Sequence, residues 1–202
     1  MKLLVAITRP DCFSGEASLI TRLFSEGLMR LHLRKPDAPR ETLESLLRAI
    51  PPVFYPRIAL HDHFELAEAY ALGGVHLNGR NPTPPPGWCG RVSRSCHTLE
   101  ELSRFASLDY LFLSPIFPSL SKQGYAPILS DSQLKTATEL GIITEKVVAL
   151  GGISEDTLPC LRHWGFGGAA VLGALWGTEG VPTWEQVRKN FQTLSRILND
   201  IA

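Results

Sequence analysis

Serine and lysine side chains follow a buried strand near the middle of the chain, where they suit the binding of phosphate. The stretch SPIFPSLSKQGY, residues 114–125, comes directly after the apolar run Tyr110–Leu113. Its two prolines leave no room for a helix. Lys122 stands beside Ser119 and Ser121, and hydroxyl groups around an ammonium group suit phosphate oxygens. We therefore predict that this loop grips a phosphate.

Polar residues also follow several other apolar runs. The candidates for binding or catalysis among them are His32, Arg34, Lys35, His61, Asp62, Asn81 and Ser95. An arginine that ends a buried strand needs an anionic partner, because an unpaired buried charge is very costly. Arg34 is therefore a candidate for contacting an anion. His32 and His76 alternate with apolar residues, which favours a packed interior position for His76 and leaves that alternative open for His32.

Eight strand-like runs, which must position these residues, alternate with helical segments along the chain. The runs are Leu3–Thr8, Leu28–Arg34, Arg57–Asp62, Gly74–Asn78, Arg91–Cys96, Tyr110–Pro115, Lys146–Gly152 and Gly168–Gly173. Most are continuously apolar, which is typical of parallel strands covered by helices. Residues 80–90 contain four prolines and therefore predict a connection without a helix after the fourth strand.

Two architectures fit this alternation, a doubly wound sheet and a closed (β/α)₈ barrel. A dinucleotide-binding doubly wound sheet requires G-x-G-x-x-G after the first strand, whereas Arg-Pro-Asp-Cys follows it here. We therefore predict an α/β fold of the TIM-barrel type, with short loops, one helix missing after strand four and a single domain over residues 1–202. Active sites of this fold lie at the C-terminal ends of the strands.

Glycines mark the ends of the last two predicted strands. Gly151 and Gly152 end the seventh and Gly173 ends the eighth, at the positions where this fold commonly holds a phosphate. Backbone N–H groups bind an anion when glycine lets the ligand come close. A simple turn after the seventh strand remains an alternative for Gly151 and Gly152.

The composition is that of an ordinary globular protein, with 202 residues of which 44% are hydrophobic and 20% charged. Lys+Arg and Asp+Glu number 20 each, so we expect neither nucleic acid nor membrane as a partner. No apolar run reaches the roughly 18 residues of a membrane span. The N-terminus lacks a small-residue cleavage site and is interpreted as the first strand. Because we identify no signal peptide, we expect a reduced, cytoplasmic environment. The spacing of the four cysteines gives no C-x-x-C pair and no metal ligand set. A homo-oligomer is left open as an assembly.

Five segments together resemble those of the thiamine phosphate synthase family. They are GGVHLNGRNP (73–82), SRSCHTLEEL (93–102), DYLFLSPIFPSLSK (109–122), VVALGGIS (147–154) and GFGGAAVLGAL (165–175). Their order and spacing match across nearly the whole chain. The resemblance implies a TIM-barrel transferase that joins hydroxymethylpyrimidine pyrophosphate to thiazole phosphate and releases pyrophosphate with the help of Mg²⁺. A regulatory barrel that only binds a phosphorylated precursor, or an enzyme for another phosphorylated heterocycle, remains an alternative.

The same resemblance implies roles for individual residues. Arg34, Ser95 and Lys122 would be catalytic residues that contact the pyrophosphate. The implied substrate-binding residues are His32, Lys35, His61, Ser119, Ser121, Gly151, Gly152 and Gly173. Asp62 and Asn81 would be the metal ligands, although the family has an aspartate where Asn81 stands. Because asparagine coordinates Mg²⁺ more weakly than a carboxylate, we expect Mg²⁺ to bind only together with a pyrophosphate-bearing ligand.

Overall fold

Eight parallel strands close into a barrel in which each strand pairs with its neighbours in chain order. The structure, a computed structural model, describes residues 2–118 and 129–201. The strands are β1 (Leu3–Ile7), β2 (Arg30–Leu33), β3 (Ile58–Leu60), β4 (Gly74–Leu77), β5 (Arg91–Cys96), β6 (Tyr110–Leu113), β7 (Val147–Ala149) and β8 (Gly168–Val171). Each lies inside one of the eight predicted runs, and the predicted TIM-barrel fold is confirmed.

Helices lie between most of the strands. They are α1 (Glu16–Ser25), α2 (Arg40–Arg48), α3 (Glu65–Ala69), α4 (Leu99–Arg104), α5 (Asp131–Glu139), α6 (Gly173–Trp176) and α7 (Trp184–Asp200). Local sequence explains where several begin. The Thr183 hydroxyl accepts a hydrogen bond from the N–H of Gln186, and the Gln186 side chain accepts one in return from the N–H of Thr183. This capping box satisfies backbone donors that the first turn of α7 leaves free. None of the helices described is long and apolar enough to cross a membrane.

Four connections between strands and helices contain prolines or a glycine that shape them. No helix separates β4 from β5, as the prolines of residues 80–90 predicted. The helix expected after β7 is instead a 3₁₀-helix, Leu158–His163, which carries Pro159 in its first turn. A second 3₁₀-helix, Pro52–Arg57, precedes β3. The eighth strand ends at Val171, so Gly173 begins α6 rather than ending β8 as expected.

Alternate residues of the strands point to two different cores. One face of each strand packs with helix residues into the larger apolar cluster, to which Leu31, Leu33, Val75 and Leu77 belong. The opposite faces enclose a smaller apolar cluster inside the barrel, formed by Val5, Ile7, Tyr110, Phe112, Val148 and Ala170. His32 and His76 belong to these inward faces and contact Phe112 with ring centroids 4.7 and 4.6 Å apart. The barrel interior is therefore partly polar.

Candidate active site

The C-terminal ends of neighbouring strands bring several of the predicted residues to one mouth of the barrel. Arg34 follows β2, Asp62 follows β3, Asn81 follows β4 by four residues, and Ser95 is the last but one residue of β5. Parallel strands of a closed barrel all end on the same face, where this fold carries its chemistry. Three predicted residues lie outside the described part of the chain, namely Ser119, Ser121 and Lys122.

Thr8 holds the backbone of Arg34 at this mouth. The Thr8 hydroxyl accepts a hydrogen bond from the Arg34 N–H at 2.9 Å and donates one to the Arg34 carbonyl at 3.1 Å. The Arg34 side chain is half-buried, and its guanidinium pairs with no carboxylate of residues 2–118 or 129–201. Burial is the main cause that lowers the pKa of His61, and the neighbouring His76 and His32 and then the charges of Arg34 and Arg80 lower it further. Two guanidinium groups therefore act on the same imidazole.

Ser95 is anchored from below by a buried histidine. His76 is completely buried, with its Nε2 atom 2.8 Å from Ser95 Oγ and its Nδ1 atom 2.8 Å from Ser93 Oγ. Burial, and secondarily the charge of Arg94, lowers the pKa of His76 to about 3. His76 is therefore a neutral interior histidine, as its alternation with apolar residues predicted, and one of its two nitrogens must accept a hydrogen bond.

His32 forms a second hydrogen-bonded chain inside the barrel. Its Nδ1 atom lies 2.9 Å from His61 Nε2, and its Nε2 atom lies 2.6 Å from the Tyr110 hydroxyl. Burial is the largest cause that lowers the pKa of both histidines. Because His32 is completely enclosed and both of its nitrogens have partners, it does not present a group to a substrate, contrary to expectation. His61 lies next to the mouth and is 5% exposed.

The three histidines also raise the question of a metal centre. One nitrogen from each of His32, His61 and His76 lies within 4.8 Å of the other two. However, the rings of His61 and His76 are stacked, with centroids 4.2 Å apart and planes 26° from parallel. Imidazole lone pairs lie in the ring plane, so the lone pairs of stacked rings run side by side and do not converge on one ion. We therefore interpret the group as a hydrogen-bonded network.

Lys35 is the clearest departure from the expected site. Its ammonium group donates to Glu16 Oε1 at 2.6 Å, to the carbonyl of Asp11 at 2.6 Å and to that of Arg9 at 2.9 Å. The Lys35 and Glu16 side chains are 0% and 2% exposed. An ammonium group has three donors, and all three are used inside the protein. Lys35 thus ties the loop after β1 to α1 rather than contacting a substrate.

The expected metal ligands are already engaged with each other and with an arginine. Arg80 Nη2 donates to Asp62 Oδ1 at 2.9 Å, and Asn81 Nδ2 donates to the same oxygen at 3.2 Å. Asn81 Nδ2 also donates to the His61 carbonyl at 2.9 Å. Asn81 therefore turns its amide nitrogen, not its oxygen, toward Asp62. Because the Arg80 guanidinium and the Asn81 amide N–H face the carboxylate, these residues as arranged do not fit a Mg²⁺ ion, which needs several converging oxygens.

The glycines after β7 and those after β8 differ in whether the fold itself requires a glycine at that position. Gly151 and Gly152 have φ of +92° and +63°, and a Cβ on Gly152 would lie 2.5 Å from the Pro118 carbonyl oxygen. The fold alone therefore requires both. Among the residues that the structure describes, a Cβ on Gly173 would meet only Thr178 Cγ2, at 3.7 Å. The described residues leave that position open, so space over Gly173 is available to a ligand at the start of α6.

Two residues of this region, Arg80 and Tyr110, make contacts in the site that the sequence did not predict. Arg80 lies in a short turn, NGRN, in which Asn78 Oδ1 accepts hydrogen bonds from the N–H groups of both Arg80 and Asn81. The Asn-Gly pair signals the turn, but nothing local shows that Arg80 reaches Asp62. Tyr110 reads as a core residue in the run YLFL, and its hydrogen bond to His32 depends on the closure of the barrel.

Comparisons with known proteins agree with this geometry. A family model described as thiamine monophosphate synthase matches residues 4–175. The thiamine-phosphate synthase of Koribacter versatilis is 32% identical over 192 residues, covering 85% of this chain and 88% of the relative. The crystal structure of thiamine phosphate pyrophosphorylase from Bacteroides thetaiotaomicron superposes with a TM-score of 0.87 at 42% identity, covering 98% of both chains. The Pyrococcus furiosus thiamine phosphate pyrophosphorylase gives 0.72 at 25% identity, covering 98% of this chain and 96% of its own.

Proposed function

The chain belongs to the thiamine monophosphate synthase family, and from that premise we propose that it joins hydroxymethylpyrimidine pyrophosphate to thiazole phosphate. The products are thiamine phosphate and pyrophosphate. The chain is a transferase of thiamine biosynthesis, and the finer assignment of substrates and residues is our proposal. The observation that carries it is that Arg34, whose backbone Thr8 holds after β2, and Ser95, whose hydroxyl contacts His76 near the end of β5, both lie at the C-terminal ends of their strands.

The reaction needs a protein that stabilises a departing anion. The bond between the pyrimidine methylene carbon and the pyrophosphate oxygen breaks, and both electrons leave with the oxygen. The lone pair of the thiazole nitrogen then forms the new C–N bond to the pyrimidine cation. Preorganised cations and hydrogen-bond donors aimed at the leaving oxygen atoms are the largest contribution that a protein makes to such a step. Arg34 is placed to supply a guanidinium group for this purpose.

The network below Ser95 determines what its hydroxyl can donate. The Ser93 hydroxyl has two acceptors within reach, His76 Nδ1 at 2.8 Å and the Val75 carbonyl at 3.4 Å. If it donates to the nearer one, His76 Nδ1, the neutral imidazole carries its proton on Nε2 and donates to Ser95 Oγ. The Ser95 proton is then free to point at a phosphate oxygen. The opposite tautomer would draw that proton into the barrel. We propose the first arrangement, in which His76 is a positioning residue and Ser95 contacts the pyrophosphate.

The thiazole phosphate is assigned to the space over Gly173 and the turn at Gly151 and Gly152. Within residues 2–118 and 129–201, the N–H groups of all three glycines donate to no backbone acceptor. Free N–H groups after the last two strands provide donors for phosphate oxygens in this fold. Mg²⁺ has no step in the proposed mechanism, because Asp62 and Asn81 do not converge their oxygens. The partners that we propose are small phosphorylated heterocycles, and the location that we propose is the cytoplasm. A homo-oligomer is the assembly that we leave open.

A turnover assay tests this function. Purified protein is incubated with both substrates, and thiamine phosphate and pyrophosphate are quantified by chromatography and a coupled phosphate assay. We expect the two products in equal amounts, and Arg34→Ala should lower kcat/KM by about 10- to 100-fold, the effect of losing a hydrogen bond to a charged group. Saturable binding of both substrates with no product would instead support a barrel that binds precursors without turning them over.

A further inference from the structure

We propose that Arg80, held in place by Asp62, supplies at the pyrophosphate site the positive charge that a divalent cation would otherwise provide. The inference deepens the proposed function and rests on it. It predicts that this protein binds pyrophosphate without a metal ion. The site follows β3 and β4, and its members are Asp62, Asn78, Arg80 and Asn81.

The contact between Arg80 and Asp62 has the geometry of a forked ion pair. Arg80 Nη2 lies 2.9 Å from Oδ1 and 3.3 Å from Oδ2 of Asp62, and Arg80 Nε lies 3.3 Å from Oδ1. Arginine keeps its charge at all relevant pH values and presents five N–H donors in a planar fork. A cation thus occupies the carboxylate oxygens that a Mg²⁺ ion would need.

The amide of Asn81 cannot be turned to complete a metal site. Its Nδ2 atom faces two acceptors, the His61 carbonyl and Asp62 Oδ1, at 2.9 and 3.2 Å. Rotating the amide by 180° would put its oxygen against both acceptors and lose two hydrogen bonds. The backbone around it is fixed as well, since Asn78 Oδ1 accepts from the N–H of Asn81 at 3.1 Å. Asn81 therefore orients Asp62 toward Arg80.

Arg80 still has donors available for an anion. Its side chain is 52% exposed, whereas that of Asp62 is only 12% exposed. Nη1 of Arg80 has no hydrogen-bond acceptor among the residues that the structure describes. The pairing with Asp62 therefore orients the guanidinium and leaves its Nη1 donors available to an anion. Arg34 follows β2 and Arg80 follows β4, so both arginines lie at the C-terminal mouth of the barrel.

The choice of arginine suits the chemistry of the leaving group. Arg34 and Arg80 together supply two positive charges, the same number as one Mg²⁺ ion, and Asp62 offsets one of them. A guanidinium binds phosphate oxygens through two parallel N–H donors, which adds orientation to charge. The neutral side chains of His32 and His76, which lie inside the barrel below the mouth, add no charge to the anion site.

Titration calorimetry with inorganic pyrophosphate in EDTA tests the inference without requiring turnover. We expect wild-type protein to bind pyrophosphate in EDTA with an affinity within threefold of that in millimolar Mg²⁺. Arg80→Gln should weaken binding at least tenfold, and Arg80→Lys should weaken it less. The control is Arg188→Gln on α7, because Arg188 forms an ion pair with Glu26 at 3.1 Å and is 51% exposed, almost as Arg80 is. This control should change affinity less than twofold.

A second measurement reports directly on the metal. Electron paramagnetic resonance should show no tight Mn²⁺ binding to wild-type protein, while Arg80→Ala combined with Asn81→Asp should create a Mn²⁺ site from two carboxylates. The inference is overturned if pyrophosphate binds only with Mg²⁺, or if Arg80→Gln leaves its affinity in EDTA unchanged. Loss of pyrophosphate binding in Arg80→Gln together with no turnover in wild-type protein would instead support the anion site and reject the proposed reaction.

Discussion

His76 Nε2 lies 2.8 Å from the hydroxyl oxygen of Ser95, while Nδ1 of the same ring lies 2.8 Å from Ser93 Oγ. One buried imidazole therefore bridges two serines on the neighbouring strand. Only the serine nearer the C-terminal end of that strand, Ser95, lies close to the mouth. The bridge links the interior of the barrel to the Ser95 hydroxyl, which we propose contacts the pyrophosphate.

This coupling predicts that His76 and Ser95 act as a unit. Ser95→Ala should lower kcat/KM by about 10- to 100-fold, because it removes a donor to a charged ligand. His76→Leu should have a similar effect, since it frees the Ser95 hydroxyl to rotate. A double-mutant cycle measured by steady-state kinetics should show that the double variant is hardly slower than either single variant. Additive losses would show that His76 does not act through Ser95.

The same histidine predicts how stability depends on pH. Burial lowers the pKa of His76 to about 3, below its ordinary value of 6.5. Below pH 6.5 the unfolded chain therefore binds a proton that the folded protein excludes, and stability falls as the pH decreases. Urea unfolding should show that wild-type protein loses about 2 kcal/mol more than His76→Leu between pH 7 and pH 5.

A control for this pH effect lies on the protein surface. His163 is exposed at the end of the 3₁₀-helix Leu158–His163. His163→Gln should leave the pH dependence of unfolding as in wild-type protein. Equal slopes for wild-type and His76→Leu protein would contradict the assignment of His76 as a buried neutral histidine.

Lys35 should matter for stability and not for substrate binding. Its ammonium group neutralises Glu16, and the second carboxylate oxygen of Glu16 has no hydrogen-bond partner among the described residues. Lys35→Met would leave a buried carboxylate unpaired, so we expect a loss of about 3–5 kcal/mol in urea unfolding. Lys35→Met combined with Glu16→Leu should recover much of that loss. If Lys35→Met instead raised the KM for the pyrimidine substrate and left stability unchanged, Lys35 would contact the substrate and our assignment would be wrong.

The contrast between Lys35 and Arg34 shows what sequence alone can give. Apolar runs predicted all eight strands, because a strand of a closed barrel is recognisable from its own residues. The strand ends in turn placed Arg34, Asp62 and Ser95 at one mouth. The partner of a charged side chain is set by tertiary distance instead. Lys35 finds Glu16, 19 residues away in the chain, and nothing in the local pattern distinguishes it from Arg34.

The contacts of Asp62 with Arg80 and Asn81 also depend on tertiary distances that the local sequence does not show. Matching family segments suggested that Asp62 and Asn81 are metal ligands, since both follow the correct strands. The side-chain amide of Asn81 is fixed by the His61 carbonyl, a backbone group whose position only the folded barrel defines. Arg80, one residue earlier, then takes the place beside the carboxylate.

Glycine substitutions after the last two strands separate folding from ligand binding. Gly152→Ala should destabilise the protein, because the residue has φ of +63° and its new Cβ would lie 2.5 Å from the Pro118 carbonyl oxygen. Gly173→Ala should fold as wild-type protein, because the nearest atom, Thr178 Cγ2, would be 3.7 Å from the new Cβ. If thiazole phosphate lies over Gly173, that methyl group should nevertheless raise the KM for thiazole phosphate at least tenfold and leave the KM for the pyrimidine substrate within twofold. Thermal unfolding and steady-state kinetics on both variants decide the matter. If Gly173→Ala left the KM for both substrates unchanged, thiazole phosphate would not bind at the start of α6.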